Sequence, residues 1–291
     1  EQALWDIKGK YFNVPVYELM GGAVREKVRM YAGVGGGTPE EVAERAKARV
    51  AAGFTAMKTG ANAPMRPIET KAVIADHVER MAAIREAVGD EVDIAIDFHG
   101  RVSPATALRL IEALEPYHPL FIEEPCLPDN PAAMIEIAQA TSVPIATGER
   151  LFTRWGFREL MESRAISVFQ PDLCHCGGIF EGRKIAAMAE VNYAHVAPHN
   201  PLGPLSLASC IQLDCCMPNF LVQEHHAHES GQGLGVGYLK EPFEIVDGYI
   251  ERPTAPGLGV EVDLDAIKAK AYEGDWDTPH LTYEDGSFAE W

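Results

Sequence analysis

Short runs dominated by apolar, β-rich residues and closed by a polar one recur along the chain at 28–31, 55–58, 92–97, 120–123, 144–149, 166–172, 195–199 and 220–224. Runs this short, separated by turn residues, predict buried strands. Between them lie stretches of helical spacing with helix-start signals. Thr38-Pro39-Glu40-Glu41 offers a capping hydroxyl, a proline suited to the first turn and a glutamate able to complete a capping box; Ser103-Pro104 and Asn130-Pro131 open two more helices in the same way. Alternating strands and helices predict parallel strands, and eight such units predict an α/β fold closed as a (β/α)8 TIM-type barrel. The polar residues ending the last six strands are Asp97, Glu123, Glu149, Asp172, His199 and Glu224, at intervals of 26, 26, 23, 27 and 25 residues. Each interval holds one strand, one loop and one helix. The longer interval from Lys58 to Asp97 is ascribed to a loop insertion at Asn62-Ala63-Pro64-Met65-Arg66-Pro67.

Both ends depart from the repeat. The chain enters directly into a helical pattern from Gln2 to Lys8 with no initiating Met, and reads as a cut end that a further domain could precede. After Glu224 comes Gly231-Gln232-Gly233-Leu234-Gly235-Val236-Gly237, which lacks a phosphate-loop lysine and reads as a flexible loop. The residues beyond it are taken as an extension leaving the barrel.

With 291 residues, 47% of them hydrophobic, the chain can bury a substantial core. A formal charge of -18 argues against nucleic acid or an anionic membrane as partner, so a carboxylate ligand would have to be drawn by local groups or a metal. The six cysteines, Cys126, Cys174, Cys176, Cys210, Cys215 and Cys216, form no paired motif and read as free thiols of a reducing cytoplasm. No apolar run approaches the roughly 20 residues that span a bilayer.

In a barrel of this type the C-terminal strand ends form the active face, so a ring of acids and imidazoles there is a catalytic arrangement. Asp97, Glu123 and Glu149 end three consecutive strands, and three converging carboxylates repel unless a positive charge lies between them. All-oxygen ligation selects a hard cation such as Mg2+; the alternative is salt bridging to a barrel lysine, with Lys58 the main candidate. His99 lies two residues after Asp97, and period-2 alternation would turn both to one face, which suits a proton donor or a structural group beside the metal. Asp172 and His199 end adjacent strands, and a carboxylate that fixes an imidazole tautomer makes a general base. Glu224 closes the ring, where it could hydrogen-bond a ligand oxygen. A base removing the proton α to a carboxylate, a cation offsetting the developing charge and an acid protonating a departing β-hydroxyl together make a dehydration that leaves a 2-keto-3-deoxy acid.

The segments Asp97-Phe98-His99-Gly100-Arg101, Phe121-Ile122-Glu123-Glu124-Pro125, Gly148-Glu149-Arg150, Gln170-Pro171-Asp172-Leu173 and Ala197-Pro198-His199-Asn200-Pro201-Leu202-Gly203-Pro204 resemble the enolase superfamily, and within it the galactonate dehydratase branch. The resemblance implies Mg2+ on Asp97, Glu123 and Glu149, His99 as acid, the Asp172–His199 dyad as base, and Glu224, Lys58 and Arg150 as substrate-binding groups. Lys58-Thr59-Gly60 lacks the Lys-x-Lys of the racemase and muconate-lactonising branches. It further implies a small-molecule sugar acid as substrate: D-galactonate first, D-gluconate or another aldonate as the alternative, with a non-catalytic metal-binding barrel as the alternative of a different class. A homo-oligomer, with no nucleic-acid or membrane partner, completes the expectation. Residues 1–24 would be the remnant of a capping domain and its linker, 25–230 the catalytic barrel, and 231–291 an extension that finishes the barrel and packs against the cap.

Overall fold

The computed structural model describes residues 1–60, 65–225, 231–271, 274 and 281–289, so part of the expected insertion at 62–67 lies outside the described residues. Nine strands are assigned among them: β1 Lys27–Arg29, β2 Ala32–Gly33, β3 Ala56–Gly60, β4 Asp93–Asp97, β5 Ile122–Glu123, β6 Ile145–Thr147, β7 Val168–Phe169, β8 His195–Val196 and β9 Tyr249–Glu251. The helices are α1 Gln2–Phe12, α2 Val16–Leu19, α3 Pro39–Ala51, α4 Lys71–Val88, α5 Pro104–Leu114, α6 Pro131–Gln139, α7 Thr153–Ser163, α8 Ile179–Val191, α9 Pro204–Cys216 and α10 Leu264–Ala269. From β2 to β8 the strands form one seven-stranded sheet in chain order, the parallel arrangement that strand–helix alternation demands.

The expected first and eighth strands take a different form. Lys27–Arg29 pairs antiparallel with Tyr249–Glu251, so only Ala32–Gly33 enters the parallel sheet. Segment 220–224 makes isolated parallel bridges, Val196↔Phe220 on one side and Met30↔Gln223 on the other, with Gln223 N donating to Arg29 O at 2.9 Å. The eighth stave therefore lies between β8 and the residues leading into β2, which is the connectivity of a (β/α)8 barrel. It makes only a single isolated bridge on each side, too little to extend into a regular strand.

Contacts group the described residues into two compact units. One comprises Glu1–Tyr31, Gly148–Arg158 and the described stretch from Phe169 onward; the other comprises Ala32–Thr147, Glu159–Val168 and the described residues near the C-terminus. In the second, Ile94, Ala95, Ile96 and Ile122 are buried strand residues, while α3 packs against α4 and buries only Val42 and Ala46. The Thr38 hydroxyl caps α3 by accepting from Glu41 N at 3.3 Å, while Glu41 Oε2 accepts from Gly37 N at 2.8 Å. The box thus closes one residue earlier than the sequence motif predicts. Asn130 caps α6 through Ala133 N, whereas Ser103 precedes α5 without capping it. In the first unit α9 is buried on every side, from Ser206 through Cys216.

Candidate active site

The chemical residues stand where strands stop, and the backbone explains why they stop there. β4 ends at Asp97, whose Oδ1 accepts from His99 N at 2.8 Å. That side-chain turn places His99 at φ 54°, in the left-handed region. Alternation along a strand is therefore not what brings His99 to Asp97; the turn does so, setting His99 Nε2 3.2 Å from Asp97 Oδ2. After β7 the same device recurs: Asp172 Oδ1 accepts from Cys174 N at 2.7 Å. Glu123 ends β5 in register with Asp97, and Glu124 turns away at φ 42°, its carboxylate taken by the Thr147 hydroxyl. β6 ends at Thr147 because Gly148, at φ 140°, permits a bend in which a Cβ would stand 2.8 Å from the Phe157 ring and 3.0 Å from Gln170 N. Glu149 follows directly.

Two clusters result. In the first, Lys58 Nζ donates to Glu123 Oε1 and Oε2 at 2.9 and 3.0 Å and approaches Asp97 Oδ2 at 3.4 Å. Asp97 and Glu123 are almost completely buried. Lys58 thus meets the acids in the way the salt-bridge alternative anticipates. In the second cluster, Asp172 Oδ2 accepts from His199 Nδ1 at 2.9 Å, and Asp172 is fully buried. The other ring nitrogen, His199 Nε2, lies 3.5 Å from Glu149 Oε2 and 4.0 Å from Glu224 Oε2. Glu224 Oε2 accepts from Asn200 N at 2.8 Å. Arg150 Nε stands 3.5 Å from Glu149 Oε1, and His175 Nδ1 lies 3.4 Å from Glu149 O and 3.8 Å from Asp172 Oδ2.

Asp97 and Glu123 stand in register at the ends of β4 and β5. Their donor set is entirely carboxylate oxygen, the chemistry that suits a hard divalent cation. One ammonium cannot neutralise two buried carboxylates, so Lys58 leaves a net negative charge there and the residues present fit a metal.

Sequence reasoning missed the groups that orient the acids: the amides of Cys174 and Asn200, the Thr147 hydroxyl and the imidazole of His175. A legible signal existed for the first, since Asp followed two residues later by a turn amide is the local pattern of a side-chain turn. None existed for Asn200 N or the Thr147 hydroxyl, whose partners Glu224 and Glu124 lie at other strand ends, while His175 stands only three residues from Asp172. All six cysteines are free, and burial pushes Cys176 and Cys215 up to about 12 and Cys126 and Cys216 up to about 11.

The family described as enolase C-terminal domain-like matches residues 41–266. A protein named D-galactonate dehydratase from Ralstonia pickettii (strain 12J) is 45% identical over 296 residues, covering 100% of this chain and 78% of that one. A solved member of the enolase superfamily from Salmonella Typhimurium is 35% identical with a TM-score of 0.86, over 92% of this chain and 74% of that one. The crystal structure of a mandelate racemase/muconate lactonizing enzyme from Sulfitobacter sp. is 39% identical with a TM-score of 0.89, over 95% and 72%. With the barrel connectivity and the strand-end acids already described, these similarities mean that the chain belongs to the enolase C-terminal domain-like family of the enolase superfamily.

Proposed function

We propose that the chain is a magnesium-dependent hydro-lyase that dehydrates a sugar acid, converting D-galactonate to 2-dehydro-3-deoxy-D-galactonate. The observation that carries this reading is the His199–Asp172 pair, 2.9 Å apart, with Asp172 wholly buried and its second oxygen already engaged by Cys174 N. Asp172 holds the proton of His199 on Nδ1 and leaves Nε2 to take the proton α to the substrate carboxylate. Once protonated, the imidazolium faces the carboxylates of Asp172, Glu149 and Glu224. His99, its Nε2 beside Asp97 Oδ2, gives a proton to the departing β-hydroxyl. Asp97, Glu123 and Glu149 would hold the Mg2+, which when bound offsets the negative charge that builds on the substrate carboxylate. Lys58, Arg150 and Glu224 bind substrate oxygens. The similarity to D-galactonate dehydratase of Ralstonia pickettii supports the choice of substrate.

The same proposal places the enzyme in the cytoplasm as a homo-oligomer, with residues 1–24 the end of a cap, 25–230 the barrel and 231–291 an extension packing on the cap. No described helix is long and apolar enough to cross a membrane.

A panel of sugar acids, assayed with Mg2+ for 2-keto-3-deoxy products, tests the function. Turnover of D-galactonate, lost on chelation and restored by Mg2+, is the expected result. Turnover of D-gluconate or another aldonate instead would keep the mechanism and replace the substrate. No turnover with any acid would leave the alternative of a non-catalytic metal-binding barrel.

A further inference from the structure

His199 is held from both sides by segment 220–224. On its N-terminal side, Pro198 O accepts from Gln223 Nε2 at 3.0 Å. On its C-terminal side, Asn200 N donates to Glu224 Oε2 at 2.8 Å and Asn200 Nδ2 to Glu224 O at 3.5 Å. Gln223 Nε2 makes a second donation, to Glu224 O at 2.7 Å. One amide nitrogen therefore ties together the carbonyl before His199 and the carbonyl of Glu224. Gln223 is completely buried, and its backbone is anchored in turn: its N donates to Arg29 O at 2.9 Å and its O accepts from Tyr31 N at 3.2 Å.

At a completely buried position an apolar side chain is the default, because a buried amide must find partners to offset its lost hydration. A leucine or methionine of similar size would fill the space yet leave two buried carbonyls without that donor. The amide thus has a role that packing alone does not supply. It fixes the relative placement of two residues whose side chains stand 4.0 Å apart, His199 Nε2 and Glu224 Oε2.

We infer that Gln223 is a positioning residue that sets His199 and Glu224 in register for proton abstraction, acting through their backbones and not on the substrate. For its kinetic consequence the inference rests on the dehydratase reading above; the geometric consequence stands without it. A base displaced by a fraction of an ångström loses rate with little loss of binding, because the groups that grip the substrate stay in place.

The test compares wild type with Gln223→Met, measuring dehydration and α-proton exchange in deuterated water, together with the hydrogen-bonded Nδ1 proton of His199 by NMR on 15N-histidine-labelled protein. The expected result is a kcat lower by roughly ten- to a hundred-fold, with α-exchange falling in step, KM within about two-fold, and the Nδ1 proton signal shifted or broadened. Gln223→Asn, which keeps the amide but is one methylene too short to reach both carbonyls, serves if the methionine variant does not fold and should show the same pattern. A folded variant with wild-type kcat and an unchanged Nδ1 signal overturns the inference, as does a rise in KM alone. Absence of turnover in the wild type itself sinks the dehydratase reading, and the proton signal then decides the positioning role by itself.

Discussion

The two acid clusters solve the same problem by different means. Around Lys58, buried carboxylates are brought together by a full positive charge: its ammonium lies within hydrogen-bonding distance of Glu123 and Asp97. Around His199, two of the acids are held by neutral donors, with Cys174 N on Asp172 and Asn200 N on Glu224. A charge-held cluster can exchange its cation for another, which suits a metal site. Amide-held acids keep their positions whatever the protonation of the ring between them, which suits a base that must cycle. The difference teaches that burial of carboxylates alone does not say what they do; the identity of the partner does.

The sharpest way to break the comparison is to remove one imidazole from each cluster. His199→Ala should lower both dehydration and α-proton exchange in deuterated water by about 10²- to 10⁴-fold. His99→Asn should stop loss of the hydroxyl while α-exchange continues. Equal exchange in the two variants would mean that the acid and base are wrongly divided between the clusters.

Lys58→Met probes the charge-held side. It leaves Asp97 and Glu123 buried without their ammonium, so the metal-free protein should lose about 3 kcal/mol of stability. Added Mg2+ should recover much of that loss, and metal titration by calorimetry should show tighter binding than in wild type. A variant whose melting temperature is unchanged without metal would show that the lysine does not neutralise the acids.

A smaller effect should come from Asp214, which neither cluster uses. It is fully buried on α9, and that burial raises its carboxyl well above the ordinary range, opposed in part by Arg25. Folding therefore favours the protonated acid: the native state binds more protons than the unfolded chain from the ordinary value of 3.8 upward. The associated stability is present at low pH and is lost as pH rises toward the folded-state value. Asp214→Asn should flatten this fall in melts recorded between acid and neutral pH; an identical slope in both proteins would sink the account.

Much of the barrel was readable because its signals are local. Proline and capping residues at the starts of α3 and α6 act within one turn, and the spacing of strand-end acids reflects the length of one βα unit. α9 was opaque for the converse reason: a helix buried on every side has no polar face to mark its period, and its cysteines say only that it is interior. The first and eighth staves were also misjudged in form, since the partner of Lys27–Arg29 is a strand more than two hundred residues away.

The sequence by itself determined the parallel α/β architecture, the residues at the strand ends and the chemical types available for metal and proton, because periodicity and side-chain chemistry are properties of a short stretch of chain. Only the tertiary structure decided that His99 reaches Asp97 through a turn and not by strand alternation, that Lys58 bridges Glu123 and Asp97, and that Gln223 braces His199 and Glu224. The first is a local turn that strand alternation does not describe; the other two depend on where a hydrogen-bond donor lies within about 3 Å, a distance set by how separate strands pack, which no spacing along the chain encodes.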